Sequence, residues 1–256
     1  MTRQSQTAAD VRRAARDGLK GSTAGLAPGH VQANLIILPE RYAKDFRNLC
    51  LRNPVACPLL AETKPGETKF PPGVADGIDI RTDVPGYNVV AFLSEFCGQG
   101  QPLISVGCSF SFEHALVQAG LVPRHIENNV SACMFHTNVP LMPAGVFGGN
   151  TVVSMRPYRA EDVEKVRAIT RPYITTHGEP IAWGWDALEK LGISDINKPD
   201  QGSAQEIREG EVPVFWACGV TPQLSVMQSP EVKGMVIGHT PGSMVVLDTR
   251  VEDVVQ

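Results

Sequence analysis

Apolar positions in this chain fall in short unbroken runs, and between those runs they recur at helical spacing. The run "HVQANLIILP" at 30–39 predicts a buried strand, being rich in Val, Leu and Ile. Pro39 then opens a helix through "ERYAKDFRNLCL", which closes near Asn53 and Pro54. The turn-rich tract "ETKPGETKFPPGVADG" leads to "IDIRTDVPGYNVVAF", which holds at least one strand. Leu103–Val106 reads as a second buried strand, and Phe110–Leu121 as a helix. Strands follow at 128–138 and 150–156, joined by "PLMPAGVFGG". "YRAEDVEKVRAIT" is a helix with acids in its first turn and bases near its end, and "WDALEKLGI" is a shorter one. Residues 195–212 are polar and predict a long loop before the buried strand "VPVFWACG". Thr221 and Pro222 suit an N-cap followed by proline at the first helical position. "MVIGHTPGSMVVLD" predicts a hairpin around a type II turn. A short helix over 8–18 precedes all of these elements.

Strands alternating with helices predict an α/β fold. Residues 1–114 and 176–256 are expected to form its main domain, with a smaller α+β lobe over 115–175. The sequence shows no internal repeat.

Composition narrows the function. With 43% hydrophobic and 20% charged residues and a net charge of −4, the chain has no global attraction for nucleic acid or an anionic membrane. No apolar run approaches the ~20 residues that span a bilayer. The start of the chain lacks the apolar core of a secretory signal, and the six cysteines at 50, 57, 97, 108, 133 and 218 have no paired spacing. A cytoplasmic protein with reduced thiols is expected. Cys133-x-x-His136 is the sole close pair of metal-ligand residues, so no metal site is expected. Neither GxGxxG nor a Walker loop occurs.

Two corners stand out, Gly107-Cys108-Ser109 and Cys218-Gly219-Val220-Thr221-Pro222, each where a buried strand gives way to a helix. The first amides of a helix are unpaired and favour anions. If the two strands lie parallel in one sheet, the corners converge on a carboxylate-sized space, and the last turn adds His239. Each residue also has a plain structural role. Ser109 can cap a helix, Glu113 can favour its dipole, Cys108 and Cys218 can pack, and Arg156 can form an ion pair. The serine-hydrolase elbow G-x-S-x-G is absent, since Ser111 stands where its second glycine would be.

The blocks "GLAPGHVQANLIILP", "RNPVACPLL", "DIRTDVP", "GCSFSFEHAL", "HTNV", "PAGVFGGNTVVSMRP", "HGEPI", "GEVPVFWACGVTPQ" and "HTPGSM" together resemble the D-glutamate cyclase family of bacterial hydro-lyases, from about residue 10 to 249. The resemblance implies a three-layer α/β main domain with a mixed sheet and a smaller two-layer lobe. It implies loss of water from D-glutamate to give 5-oxo-D-proline, with no organic cofactor. It departs from the family at His136, where a Lys or Arg is frequent, and at Ser243, where a His is frequent.

Such a cyclisation must take protons from the amine and give them to the departing oxygen. Glu113 and His239 are the candidates for proton transfer, with Asp83 in reserve. Arg81 or Arg156 could grip the α-carboxylate. The amides at Cys108 and Ser109 could stabilise charge on the γ-carboxyl oxygen. Gln32, Asn34, Thr137, Asn138 and Thr221, polar residues inside the matching blocks, could orient the substrate. Attack by Cys108 is the covalent variant. Two other readings share the site: a small dicarboxylate or amino-acid binding protein without catalysis, and a Cys108-dependent amide hydrolase. The partner expected in each is a small acid, with no nucleic acid or membrane; self-association into a homo-oligomer stays open.

Overall fold

A computed structural model describes residues 6–71, 74–75, 78–91 and 101–255; Cys97 lies outside the described residues. The fold is α/β, built on two sheets; every strand pair among the described residues is antiparallel, where a mixed main sheet was expected, because neighbouring strands of each sheet run in opposite directions. The first holds β1 (His30–Ile37), β2 (Leu59–Glu62), β3 (Tyr87–Ala91), β4 (Leu103–Gly107), β9 (Val236–His239) and β10 (Val245–Arg250). Its order is β2-β4-β1-β9-β3, with β10 also on β1. The second holds β5 (Cys133–Pro140), β6 (Asn150–Arg159), β7 (Ala182–Trp183) and β8 (Glu211–Ala217) in the order β5-β6-β8-β7. The expected lobe of 115–175 supplies β5 and β6, and β7 and β8 complete that sheet from outside those bounds.

Seven α-helices are described: α1 (Ala8–Arg16), α2 (Glu40–Arg52), α3 (Phe110–Gln118), α4 (Arg124–Glu127), α5 (Val163–Thr170), α6 (Ala187–Leu191) and α7 (Thr221–Gln228). With their ranges in place, a repeat emerges. Strand β1, helix α2, strands β2 and β4 and helix α3 run in the same order as β6, α5, β7, β8 and α7. Within the sheets, β2-β4-β1 matches β7-β8-β6. Register agrees as well: Ala33 faces Gly107 as Val153 faces Ala217.

The two halves exchange parts. After α3 the chain adds β5 to the edge of β6, and after α7 it adds β9 to the edge of β1. Side chains follow the same exchange. Phe112 and Leu116 of α3 are buried with Tyr158, Val214 and Trp216 of the second sheet. Val226 of α7 is buried with Ile36 and Ile104 of the first. Burying these faces is the main stabilising term, about 1.5–3 kcal/mol for each large apolar side chain. The exchange makes the seam between the halves part of the core.

The expected hairpin at the end of the chain does not form as such. Its turn is present, since the Ser243 amide donates to the Thr240 carbonyl at 2.8 Å and Gly242 has φ of 84°. However, β9 and β10 are both antiparallel to β1, β10 along its first half and β9 along its second. They lie end to end, so the turn between them stands out as a corner.

Candidate active site

Each half ends in a cysteine corner, and hydrogen bonding builds the two alike. In the first, the Cys108 amide donates to the Gln32 carbonyl at 3.0 Å. The Ser111 hydroxyl accepts from the Gln32 amide at 2.9 Å and reaches the Gln32 carbonyl at 3.3 Å. In the second, the Cys218 amide donates to the Val152 carbonyl at 3.0 Å. The Thr221 hydroxyl accepts from the Val152 amide at 3.0 Å and reaches the Val152 carbonyl at 3.3 Å. A hydroxyl three residues past the cysteine thus ties the first helical turn to the neighbouring strand and fixes where the thiol stands.

The strands are in different sheets, so the corners meet across the seam and not side by side in one parallel sheet. Close approach demands glycine there. A Cβ on Gly219 would sit 1.9 Å from Asn34 Nδ2, and a Cβ on Gly107 would sit 1.9 Å from the Thr175 carbonyl oxygen.

Between the corners lies a cavity of about 490 Å³, lined by Asn34, Cys108, Ser109, Ser154, Cys218 and the turn Thr240–Met244, among others. Asn34 and Ser154 occupy equivalent places in the two halves, next to Ala33 and Val153 in register. Among the lining residues, Cys108 and Cys218 carry the only titratable side chains. Burial pushes both thiols up; hydrogen bonds from the Phe110 and Val220 amides act in the opposite direction, and each thiol feels the Arg156 charge.

Behind this wall lies a buried ion cluster. Arg156, 1% exposed, donates to Glu113 Oε1 from Nε at 3.1 Å and from Nη2 at 2.5 Å. It also donates to the hydroxyl oxygens of Ser109 at 2.9 Å and Ser154 at 3.1 Å. Its guanidinium lies 5.1 Å from the Trp216 ring centre and 5.5 Å from that of Phe112. His125 Nε2 is 3.1 Å from Glu113 Oε1. Burial favours the neutral acid, but His125 and Arg156 outweigh it and hold the Glu113 carboxyl below its ordinary range. Glu113 itself faces a second cavity of about 440 Å³ beside Gln32 and Ser111.

The structure therefore brings together Asn34, Cys108 and Ser109 directly, with Glu113 and Arg156 one layer back. The other residues singled out in the sequence are placed elsewhere. His239 is buried, its Nδ1 receiving the Leu35 amide at 3.1 Å and Gln223 Nε2 at 2.9 Å, and burial pushes its pKa down to about 4. Asp83 is buried against Arg16, and exposed Arg81 pairs with Asp79. Gln32 is held by Thr23 and Leu26. Thr137 bonds the Thr151 carbonyl, Asn138 is exposed, and Thr221 is the tie described above. Of the two departures, His136 lies near Asp200, and Ser243 lines the cavity while donating to the Gly21 carbonyl at 2.8 Å.

A model of the D-glutamate cyclase family matches residues 103–248, more than half of the chain and both cysteine corners. The chain belongs to the D-glutamate cyclase family. A protein of Schizosaccharomyces pombe is 46% identical over 238 residues, covering 89% of this chain and 79% of its own. One from Bordetella petrii is 46% identical, with 96% of both chains covered, and one from Azorhizobium caulinodans is 45% identical, covering 95% of this chain and 92% of its own. Each of the three carries the name "Putative hydro-lyase".

Two residues at this family member's site, Ser154 and His125, are not among those singled out in the sequence; Cys218, whose corner is singled out but whose side chain is expected to pack, lines the cavity. The sequence carries a signal for the thiol's role: Cys-x-x-Ser at 108–111 and Cys-x-x-Thr at 218–221 both follow a buried strand, so the two corners expected to converge share one pattern. No group of three metal-ligand side chains occurs among the described residues, and none of the described helices is long and apolar enough to cross a membrane.

Proposed function

We propose that the chain is a hydro-lyase acting on a small acid held between the two cysteine corners, with D-glutamate, closing to 5-oxo-D-proline, as its substrate. The observation that carries this reading is the hydrogen bonding of Ser109 and Ser154. Each hydroxyl oxygen accepts from the Arg156 guanidinium, so each hydroxyl proton is free to donate. Both residues line the cavity. A buried cation thereby polarises two donors without meeting the substrate itself. The Ser109 and Gly219 amides also have no acceptor among the described residues and stand at the two corners.

In the reaction the amine nitrogen bonds to the γ-carbon, a C–O bond breaks, and two protons pass from the ammonium group to the departing oxygen. The polarised hydroxyls and corner amides would stabilise the oxygen as the carbon becomes tetrahedral. Cys108 and Cys218 are the titratable groups on the wall; the minor thiolate form of either would take the ammonium proton, so turnover should rise with pH. Positioned proton transfer is typically worth about 10²–10⁴-fold, and holding the chain curled contributes further. An amide hydrolase using Cys108 is less well supported, because it also needs a group to protonate the leaving amine and no histidine or carboxylate lines the cavity.

Incubating the purified protein with D-glutamate and following the loss of primary amine and the appearance of 5-oxo-D-proline by NMR tests the proposal. Product above the uncatalysed rate is expected; its absence would reject D-glutamate cyclisation.

A further inference from the structure

The repeat places one thiol in each half, at equivalent positions, on the wall of one cavity. Cyclisation needs no such doubling, since amine and γ-carboxyl react without touching the α-carbon. A paired arrangement does suit chemistry with two faces. We propose that Cys108 and Cys218 act as a two-base pair that exchanges and inverts the α-hydrogen of an α-amino acid of glutamate's size, giving the protein racemase activity. This rests on the reading that a small acid occupies the cavity, and extends it to a second reaction.

The steps balance without an oxidant, reductant or co-reactant. One cysteine, as thiolate, takes the α-proton from one face and becomes a thiol. The electron pair of the broken C–H bond moves into the carboxylate, forming an enolate-like dianion. The other cysteine, as thiol, gives its proton to the opposite face and becomes the thiolate. The product is the mirror-image acid, and the two sulfurs have exchanged roles, ready for the reverse direction.

Several features of the site fit this chemistry. The thiols are the titratable side chains of the wall, so no other lining group competes for the proton. The Cys218 charge raises Cys108 further, which disfavours a doubly ionised pair, so at most one sulfur is a thiolate at a time, and burial of both makes that form one that is reached at raised pH. A carboxylate seated on the Ser109 and Gly219 amides, near the polarised hydroxyls of Ser109 and Ser154, would have its developing second charge stabilised where it forms. Asn34 and Ser154, the equivalent polar residues of the two halves, could hold the substrate's remaining polar groups between the sulfurs. A surrounding wall of Phe110, Met134, Val220 and Met244 limits water at the carbanion.

The test uses the full chain in D₂O with D- and L-glutamate, D- and L-aspartate and D- and L-5-oxoproline in turn. The α-hydrogen signal is followed by NMR and handedness by chiral chromatography. Deuterium entry at the α-carbon with inversion is expected for at least one pair. Cys108→Ser and Cys218→Ser should each reduce inversion by about 100-fold or more. They should also differ in which mirror form still exchanges, because each sulfur serves one face, an asymmetry that a packing defect would not produce. No α-exchange with any of these acids would overturn the inference, as would inversion that survives both substitutions. Formation of 5-oxo-D-proline with its α-hydrogen intact, together with no exchange into any of the acids, would overturn it while leaving cyclisation standing. Exchange without ring closure would support it and reject cyclisation.

Discussion

Arg156 and Glu113 meet at 2.5 Å with neither side chain more than 2% exposed, and the pair joins β6 of one half to α3 of the other. Charge is therefore balanced inside the seam. Removing one partner leaves the other buried and unpaired, which costs about 3–5 kcal/mol. Glu113→Gln should lower stability by that order, read from urea denaturation, in addition to any loss of turnover. A variant as stable as the parent would show that the pair does not hold the halves together.

The close approach at Gly219 yields a coupled prediction. Gly219→Ala drives a methyl group into Asn34, whose Nδ2 donates to the Gly107 carbonyl at 2.9 Å. Overpacking of this kind costs about 1–3 kcal/mol. Asn34→Ala makes room, so the double variant should be more stable than the sum of the single losses predicts. A double-mutant cycle by urea denaturation measures the coupling, and strict additivity would contradict the contact.

Acid should weaken the fold in two stages. His177 and His239 are both buried, and burial pushes each from an ordinary 6.5 to about 4. Between those values the unfolded chain binds more protons than the folded one. Their contribution is complete above about pH 6.5 and is lost as pH falls toward 4, at up to about 1.4 kcal/mol per unit for each group. Glu113, held below its ordinary 4.5, adds a further loss below that pH. Urea midpoints measured from pH 7.5 to 3.5 should decline in this order, and His177→Asn should flatten the first stage. A constant midpoint from pH 6.5 to 4.5 would contradict both histidine assignments.

The buried thiols should be poor nucleophiles in the resting protein. Burial raises Cys108 and Cys218, so little thiolate is present near neutral pH. Iodoacetamide at pH 7.5 should label both far more slowly than it labels a free thiol, and the rate should keep climbing with pH beyond the free-thiol range. Mass spectrometry of the digested protein reads each site separately. Rapid labelling of Cys108 at neutral pH would instead restore it as an activated nucleophile.

How much of this was legible in the sequence follows from how local each signal is. Strands such as "HVQANLIILP" and helices such as "ERYAKDFRNLCL" announce themselves through periodicity, and β1 and α2 are where that pattern puts them. The corners at Cys108 and Cys218 are local too, a strand ending where a helix begins. Which corner faces which depends on pairing between distant strands. No local pattern tells that β9 and β10 share one edge of β1, or that Trp216 and Phe112 close over Arg156 from different halves. Glu113 and Arg156 were visible as individual charges; that they neutralise each other was not. Apart from the two Cys-x-x-hydroxyl corners, the repeat is hidden in sequence, because Asn34 is the equivalent of Ser154 and Gln32 of Val152, with geometry retained and identity lost.

Asp83 supplies the sharpest separation of structure from chemistry. Arg16 donates to it from Nε at 2.5 Å and from Nη2 at 2.7 Å, and the Asp79 amide donates at 3.0 Å, so its carboxylate is occupied. Arg12, on the same helix, bonds Asp248 and the Val246 carbonyl. Together they dock α1 onto the first sheet. The loop after α1 is tied to the turn at 240–244, for the Thr23 amide donates to the Gly242 carbonyl at 2.8 Å and Ser243 donates to the Gly21 carbonyl. Gly21 and Ser22 line the cavity. Asp83 thus reaches the site through α1 and this loop. Asp83→Asn should lower stability by about 1.5–3 kcal/mol, the worth of hydrogen bonds to a charged group. It should change kcat by no more than a few-fold while raising KM as the loop loosens. Steady-state kinetics beside urea denaturation decide the matter: a hundredfold fall in kcat at unchanged stability would return Asp83 to the chemistry.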